Sequence, residues 1–586
     1  MCTLRVIDVP VAPTAFFHGH TLQISRSMPK RFAAAVLVLI ASLASCRDSG
    51  RSTAGGDAGG TVIVSTAAEP DFLLPPLITN VQGRMASDLI FDKLAEVPPD
   101  MNVTRDAAYR PRLAQKWTWG PDSLSIAFQL DPRARWHDGA PVRAEDVKIG
   151  FDLMADKKVN SPQAPNVGEI DSVTVRDSLT AVFWFKRRNS EQFFTAAYNV
   201  IPLPAHLLRD VNRDNLQSAA FARSPVGNSR FRFVRWLPGQ LLELVADTAN
   251  YRGRAKLDRV VLSIAPDPTT AATRLLAGEA DFYEVLRGEQ LEQAKQNPAL
   301  QLVMYGGVDY AFLQFNLHDR KNRARAHTIF GDKGLRRALA MAIDRQAIVK
   351  NVYDTLADVP YGPAPRSLGI ADKSIRQTPY DTIAARHALD SLGWRDTNGD
   401  GIREKNGVPL RFSVMVPSSS RARQNVAILL QEQLKRSGVD LQVDQLDVNT
   451  MIARLSNRDF DAVLSAWHPD PNPSSIRQSW GGESARSPNG SNYGGYDSPA
   501  FDAYVDSAVM ARSGDAPAYF RKAYQVFVDD EPAVMLYEPR LVAGASKRIK
   551  LVELRPDAWW AGLADWSIPA DQRIERDRVG LRAASQ

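Results

Sequence analysis

Between Pro409 and Pro473 the hydrophobic pattern switches period repeatedly. Leu410, Phe412, Val414 and Val416 alternate with Arg411, Ser413 and Met415, the period of two that predicts a strand. Ser418-Ser419-Ser420 offers a helix N-cap, and Val426, Leu429, Leu430 and Leu434 recur at helical spacing. Gly438 stands where a helix C-cap is expected. Val439, Leu441 and Val443 alternate again. Met451, Ile452 and Leu455 predict a short second helix, and Phe460, Val463 and Leu464 a third strand ending near Trp467. The order β-α-β-α-β predicts parallel sheet with right-handed crossovers. Open parallel sheets bind ligands in the crevice beyond the carboxyl ends of their strands.

The segment just past that third strand reads Trp467-His468-Pro469-Asp470-Pro471-Asn472-Pro473. It joins an aromatic ring, a carboxylate and a proline-stiffened backbone, and is the best-supported candidate ligand site in the chain. The plainer alternative is a surface loop whose Asp caps a turn.

Elsewhere the pattern is less dense. Thr61-Val62-Ile63-Val64-Ser65 predicts an opening strand, broken at Ala68-Glu69-Pro70-Asp71. Ser87 to Leu94 reads as a helix, Ser123 to Leu130 alternates, and Asp138-Gly139 marks a turn before a helix that starts around Arg143–Val147. Leu335, Leu339, Ile343 and Val349 form the inward face of an amphipathic helix with Asp332 as its cap.

Lys30-Arg31 precede an apolar run from Phe32 to Ile40, followed by Ala41-Ser42-Leu43-Ala44-Ser45-Cys46. A charged n-region, a short h-region and small residues before a cleavage point make 28–45 a signal peptide. The apolar run is too short to span a bilayer, which needs about 20 residues. Leu43-Ala44-Ser45-Cys46 resembles a bacterial lipobox, which implies a lipid-modified Cys46 as the mature N-terminus and an extracytoplasmic, membrane-anchored protein (periplasmic if the cell has an outer membrane). A plain secretory signal with an incidental Cys is the alternative. Residues 1–27 read as an upstream extension, with translation expected to start at Met28. Residues 46–60, rich in Gly, Ser and Ala, predict a flexible tether.

The composition is ordinary for a globular protein, 44% hydrophobic and 24% charged over 586 residues, long enough for several domains. The formal net charge of +6 falls to +3 once residues 1–45 are set aside. No dense basic run stands beyond the leader, so nothing points to nucleic acid. Cys2 and Cys46 are the two cysteines, too few for a disulfide framework. His137, His206, His318, His327, His387 and His468 show no metal-binding spacing. The sequence holds no G-x-S-x-G elbow, no G-x-x-x-x-G-K-[ST] loop and no G-x-G-x-x-G fingerprint, so no catalytic residue, cofactor or metal is assigned and an enzyme has no positive support. Asp396-Thr397-Asn398-Gly399-Asp400-Gly401 imitates a calcium loop, but position 12, which needs a bidentate Glu, is Gly407. A turn is favoured there over a cation site.

Several motifs carry a family likeness. Pro111-x-Leu113-Ala114-x-x-Trp117, Phe128-Gln129-Leu130 and Trp136-His137-Asp138-Gly139-Ala140-Pro141-Val142-Arg143-Ala144-Glu145-Asp146-Val147 run in order. Pro225-Val226-Gly227, Asn250-Tyr251-Arg252-Gly253, Gly278-Glu279-Ala280-Asp281, Phe315-Asn316 and Leu335 to Arg345 follow. Together they resemble the family 5 extracellular solute-binding proteins, the peptide-, oligopeptide- and nickel-binding components of ABC importers, from about Thr61 to Val552. Ser229 and Arg230 depart from the family's Gly-Pro at that turn.

The resemblance implies an α/β, two-lobed periplasmic-binding-protein fold (type II, the three-domain peptide-binding type) with mixed parallel sheets and a hinge. Domain I would comprise 61–105, 225–320 and 541–575, domain II 106–224 and domain III 321–540, with 576–586 as a tail. It implies a monomer that binds a small peptide and passes it to ABC permease subunits with a separate ATPase. Other solutes (an oligosaccharide, a nickel chelate, haem), a sensor or an extracellular hydrolase remain alternatives. Trp467-x-x-Asp470 resembles the family's W-x-x-D, whose Asp pairs with the ligand's ammonium in peptide binders. By the same likeness Trp467 forms an apolar wall or fills core, and His468 tunes specificity. No partner for a ligand carboxylate is placed; Arg366 and Arg477 are candidates, with ordinary surface arginines the plainer reading.

Overall fold

The computed structural model describes residues 58–512 and 514–577. Residues 1–27, the leader at 28–45, Cys46, most of the tether and most of the tail lie outside them.

From Arg411 to Trp467 the chain follows local signals. The strand Arg411–Pro417 is followed by the helix Arg421–Lys435, started by Ser420, whose side chain accepts from the Arg423 N–H. Gly438 turns the chain with φ +78°, and the strand Asp440–Leu446 lies parallel to Arg411–Pro417 along its whole length. Asp447 accepts from the Asn449 and Thr450 N–H groups to start the helix Val448–Ser456. The strand Ala462–Trp467 then runs parallel on the other side of Arg411–Pro417, with Val414 opposite Ala462. Val414, Val426, Leu430 and Leu434 belong to one core cluster. Met415 departs from the expected alternation: it is buried, with Met451, Leu455, Phe460 and Val463, in a second cluster. The helix Val448–Ser456 covers that face, and a strand covered on both sides is apolar on both. Ile452, grouped above with Met451 and Leu455, is 53% exposed on the outside of that helix.

This unit is one end of a large sheet. Ala462–Trp467 pairs antiparallel with Tyr310–Phe315, which pairs antiparallel with the first part of the long strand Ala533–Ser546. The later part of that strand pairs with Leu300–Gly306 and with Phe282–Tyr283. Beyond lie Thr61–Thr66, parallel to Arg259–Ile264, and the antiparallel strands Leu241–Ala246 and Phe231–Leu237. The sheets are thus mixed, as the family likeness implies. Where the two halves meet, Gly306 and Gly307 run beside Pro539. A Cβ on Gly307 would meet the Pro539 carbonyl oxygen at 3.0 Å, and Pro539 has no N–H to add to a ladder.

A separate antiparallel sheet holds Ala114–Trp119, Ser125–Leu130, Thr180–Phe185 and Ile170–Asp177 in that spatial order. The helix Ala144–Ala155 packs on it, burying Ile149, Phe151 and Leu153. His137 and Asp138 serve the turn before this helix. The His137 Nε2 lies 2.8 Å from the Ser229 carbonyl oxygen, and Asp138 accepts from the Ala140 N–H.

The helix expected at 87–94 is displaced. It runs Val81–Ile90, because the Asn80 side chain caps it by accepting from the Gly83 N–H at 2.7 Å. Phe91 leaves it in extended geometry and is fully buried near Trp136. The helix starts six residues earlier than expected, which places Arg84 on it.

Candidate functional site

Trp467 ends its strand opposite Tyr310, and the chain then leaves the sheet toward the three-residue helical turn Pro473–Ser475. His468, Asp470, Pro471, Asn472 and Ser474 border a cavity of about 510 Å³, within the size range of small-ligand sites. The helix Val81–Ile90 and the segment 191–201 supply other parts of the wall. Trp467 is not part of the lining. It is half-buried, 6.3 Å from Phe312 and stacked 6.2 Å from Tyr493 by ring centroids.

Ser474 also joins two parts of the chain that are far apart in sequence. Its N–H and hydroxyl both donate to the Glu191 carboxylate, at 2.7 and 2.6 Å. The neighbouring Ser190 N–H donates to the Val509 carbonyl at 2.7 Å. Through these bonds the region of the four-stranded sheet meets the region that carries the Trp467–Ser475 loop. Burial pushes the Glu191 carboxyl up, against the pull of the Ser474 bonds.

The charged groups of the cavity wall are mostly matched within the protein. Glu169 is clamped by Arg187 at 2.7 and 2.9 Å. Lys93 stands 3.1 Å from Asp88 and 3.3 Å from the Tyr198 ring centroid. Burial disfavours the charged form of Asp88, yet Lys93 and Arg84 outweigh it and hold the carboxyl below its usual range. His468 places Nδ1 2.7 Å from the Asp309 carboxylate, and this bond holds the imidazole above its ordinary value, with Asp470 adding to it. Asp470 is exposed and, among the described residues, accepts no hydrogen bond and joins no ion pair. Arg84, with its side chain 37% exposed, also lines the cavity and lies 3.8 Å from Asp88 and 3.9 Å from Asp557.

Of the residues singled out from sequence, His468 and Asp470 meet in this cavity and Trp467 stands behind them. Arg366 and Arg477 do not reach it. Arg366 pairs with Glu538 at 3.0 Å beside Pro539, and Arg477 pairs with Asp506. Sequence reasoning missed Arg84 because the helix that carries it was expected to begin at Ser87. The Asn80 cap, three residues before Gly83, was the available signal. At the calcium-like segment, one carboxylate oxygen from each of Asp396, Asp400 and Glu404 lies within 4.8 Å of the others. Asp396 accepts from the Gly399 and Gly401 N–H groups, the bonding of a turn.

The family profile described as bacterial extracellular solute-binding proteins, family 5 Middle, matches residues 108–487. The oligopeptide-binding protein AppA of Bacillus subtilis is 25% identical over 543 residues, which cover 90% of this chain and 97% of that protein. The solved structure of AppA in complex with a nonapeptide aligns with a TM-score of 0.64 at 24% identity, covering 87% of this chain and 99% of that one. NikZ from Campylobacter jejuni, solved in complex with Ni(L-His), aligns with a TM-score of 0.66 at 23% identity, covering 86% and 99%. These two structures share the fold described above.

The His468–Asp309 pair has a direct test. A carboxylate that accepts from an imidazolium stabilises its charged form, so the group stays protonated to higher pH. A histidine NMR titration is expected to place His468 above the ordinary 6.5, and Asp309→Asn should bring it down. A His468 that titrates at or below that value in the parent, or is unmoved by Asp309→Asn, would refute the pairing.

Proposed function

The chain belongs to the bacterial extracellular solute-binding proteins, family 5, and on that premise we propose that it captures short peptides between its two lobes. It hands them to membrane permease subunits driven by a separate ATPase, and itself carries out no chemistry on the ligand. The division proposed with this function is 61–105, 225–320 and 541–575 for the first domain, 106–224 for the second and 321–540 for the third. Among the described residues no helix is long and apolar enough to cross a membrane.

The observation that carries the proposal is the Asp470 carboxylate. It borders the cavity beyond the carboxyl end of a parallel strand, where crevices form in such sheets, and among the described residues no group hydrogen-bonds or ion-pairs with it. A peptide's α-ammonium supplies the missing charge, and closure of the lobes removes water from the pair. His468, tied to Asp309, sits beside it and adjusts the local potential. Trp467 supports the loop from behind. The relative named as an oligopeptide-binding protein supports the choice of peptides.

Asp470→Asn keeps the shape and removes the charge. It is expected to weaken trialanine by about 1.5–3 kcal/mol, the range for a charge-assisted hydrogen bond, or roughly ten- to over a hundredfold in Kd. N-acetylation should weaken binding to the parent and change little for the variant. Calorimetry of the four combinations decides the matter: additive losses would place the amine elsewhere and leave Asp470 a turn residue.

We also propose that Cys46 is the mature N-terminus and carries the lipid anchor, on the strength of Leu43-Ala44-Ser45-Cys46 at the end of the apolar run. Intact-mass analysis of the membrane fraction should find acyl chains on a chain beginning at Cys46. A free Cys46 thiol on the secreted product would rule this out.

A further inference from the structure

The loop that carries Asp470 is anchored at both ends by carboxylates from other parts of the chain. At its start His468 is tied to Asp309 at 2.7 Å. At its end Ser474 is gripped by Glu191, 283 residues away in sequence. The Ser474 N–H donates to one carboxylate oxygen at 2.7 Å and the hydroxyl to the other at 2.6 Å. Asp470 borders the cavity between the two anchors. In the proposed division Glu191 belongs to the second domain and Ser474 to the third. The Ser190 N–H crosses the same boundary to the Val509 carbonyl at 2.7 Å. A rotation that parts the lobes here breaks all three bonds.

Glu191 is 7% exposed and joins no ion pair among the described residues. The groups that face it are few. Ser474 and Asn472 donate to it, and Arg477 acts from longer range, itself paired with Asp506. The phenols of Tyr109 and Tyr524 also feel its charge, and burial keeps both neutral. Asp88 differs, because Lys93 and Arg84 outweigh its burial. At Glu191 burial prevails, and the carboxyl stands above the ordinary 4.5. With the lobes apart the same group meets water and titrates in the ordinary range. Closure therefore draws a proton onto Glu191, and the closed form gains as the pH falls from the raised value toward the ordinary one. Both Ser474 bonds survive that proton. The carbonyl oxygen still accepts from the N–H, and the acid O–H donates to the Ser474 hydroxyl, which can donate or accept.

We infer that Glu191 and Ser474 form a latch across the lobes that closes with uptake of a proton, and that Glu191 is thereby a positioning residue for the Asp470 loop. The inference rests on the proposed lobes and their closure, and does not depend on which solute the cavity holds. Mild acid favours the closed form even without ligand. Glutamine at 191 copies the protonated latch, with one oxygen to accept from the N–H and an amide to donate to the hydroxyl. Alanine leaves the loop tied at His468 alone.

The test is small-angle X-ray scattering of the ligand-free parent, Glu191→Gln and Glu191→Ala at about pH 7.5 and about pH 5, the interval over which a raised carboxyl titrates. Melting curves verify that each variant folds. The parent should be more compact at the lower pH. Glu191→Gln should be compact at both, and Glu191→Ala expanded at both. In calorimetry at the higher pH Glu191→Ala should bind trialanine roughly tenfold more weakly than the parent, the order of one lost hydrogen bond to a charged group, and Glu191→Gln should restore the affinity. A parent radius that ignores pH, a pH response that survives in Glu191→Gln, or a Glu191→Ala variant as compact as the parent at pH 5 each overturns the inference. If trialanine does not bind the parent, the peptide reading falls, and the scattering still decides the latch.

Discussion

One continuous strand, Ala533–Ser546, belongs to both halves of the main sheet. Its first residues complete the parallel unit that ends at Trp467. Its last residues complete the half that begins at Thr61. Between them it passes Pro539 and lies beside Gly306 and Gly307, where ladder bonds and side-chain bulk are both reduced. Ion pairs brace that point: Arg366 with Glu538 at 3.0 Å and Arg540 with Asp358 at 2.6 Å. A shared backbone permits the halves to rotate while keeping them in register, which is the mechanical requirement of a binding protein that closes on its ligand.

The closure proposed above would give the charges of the cleft their meaning. Groups that stay buried in either wall are matched inside the wall, as Asp88 is by Lys93 and Asp557 by Arg555. Asp470 has no hydrogen bond or ion pair among the described residues, and in the proposed function a ligand ammonium supplies its partner. Removing water from it costs little only if a ligand brings the opposite charge. Under that proposal recognition and closure are one event, because the step that completes the ion pair removes the solvent. The bonds from Ser474 to Glu191 hold the rim where the two walls already touch.

Much of this was legible in the sequence, and the exceptions have physical causes. The stretch 409–473 could be read because its signals are local: serine and aspartate caps, a glycine at positive φ, and clean changes of period. Met415 and Ile452 were misassigned because burial depends on which face the next helix covers, and no local pattern states that. The helix Val81–Ile90 slipped because it contains Gly83 and Ser87 and its apolar face is short, so the Asn80 cap was the decisive signal. With it Arg84 was overlooked, while Arg366 and Arg477, equally plausible as letters, lie in ion pairs elsewhere. The position of Asp470 could be argued from strand topology; that no described residue hydrogen-bonds or ion-pairs with it appears only in three dimensions.

Rotation of the lobes around a captured ligand is the central claim, and small-angle X-ray scattering tests it most directly. The soluble body would be measured alone and with trialanine at a concentration that calorimetry shows to be saturating. The radius of gyration and the maximum dimension should both fall on binding, as two lobes approach each other. Unchanged values at saturation would contradict the account and would mean that ligand is held by a local loop, without closure.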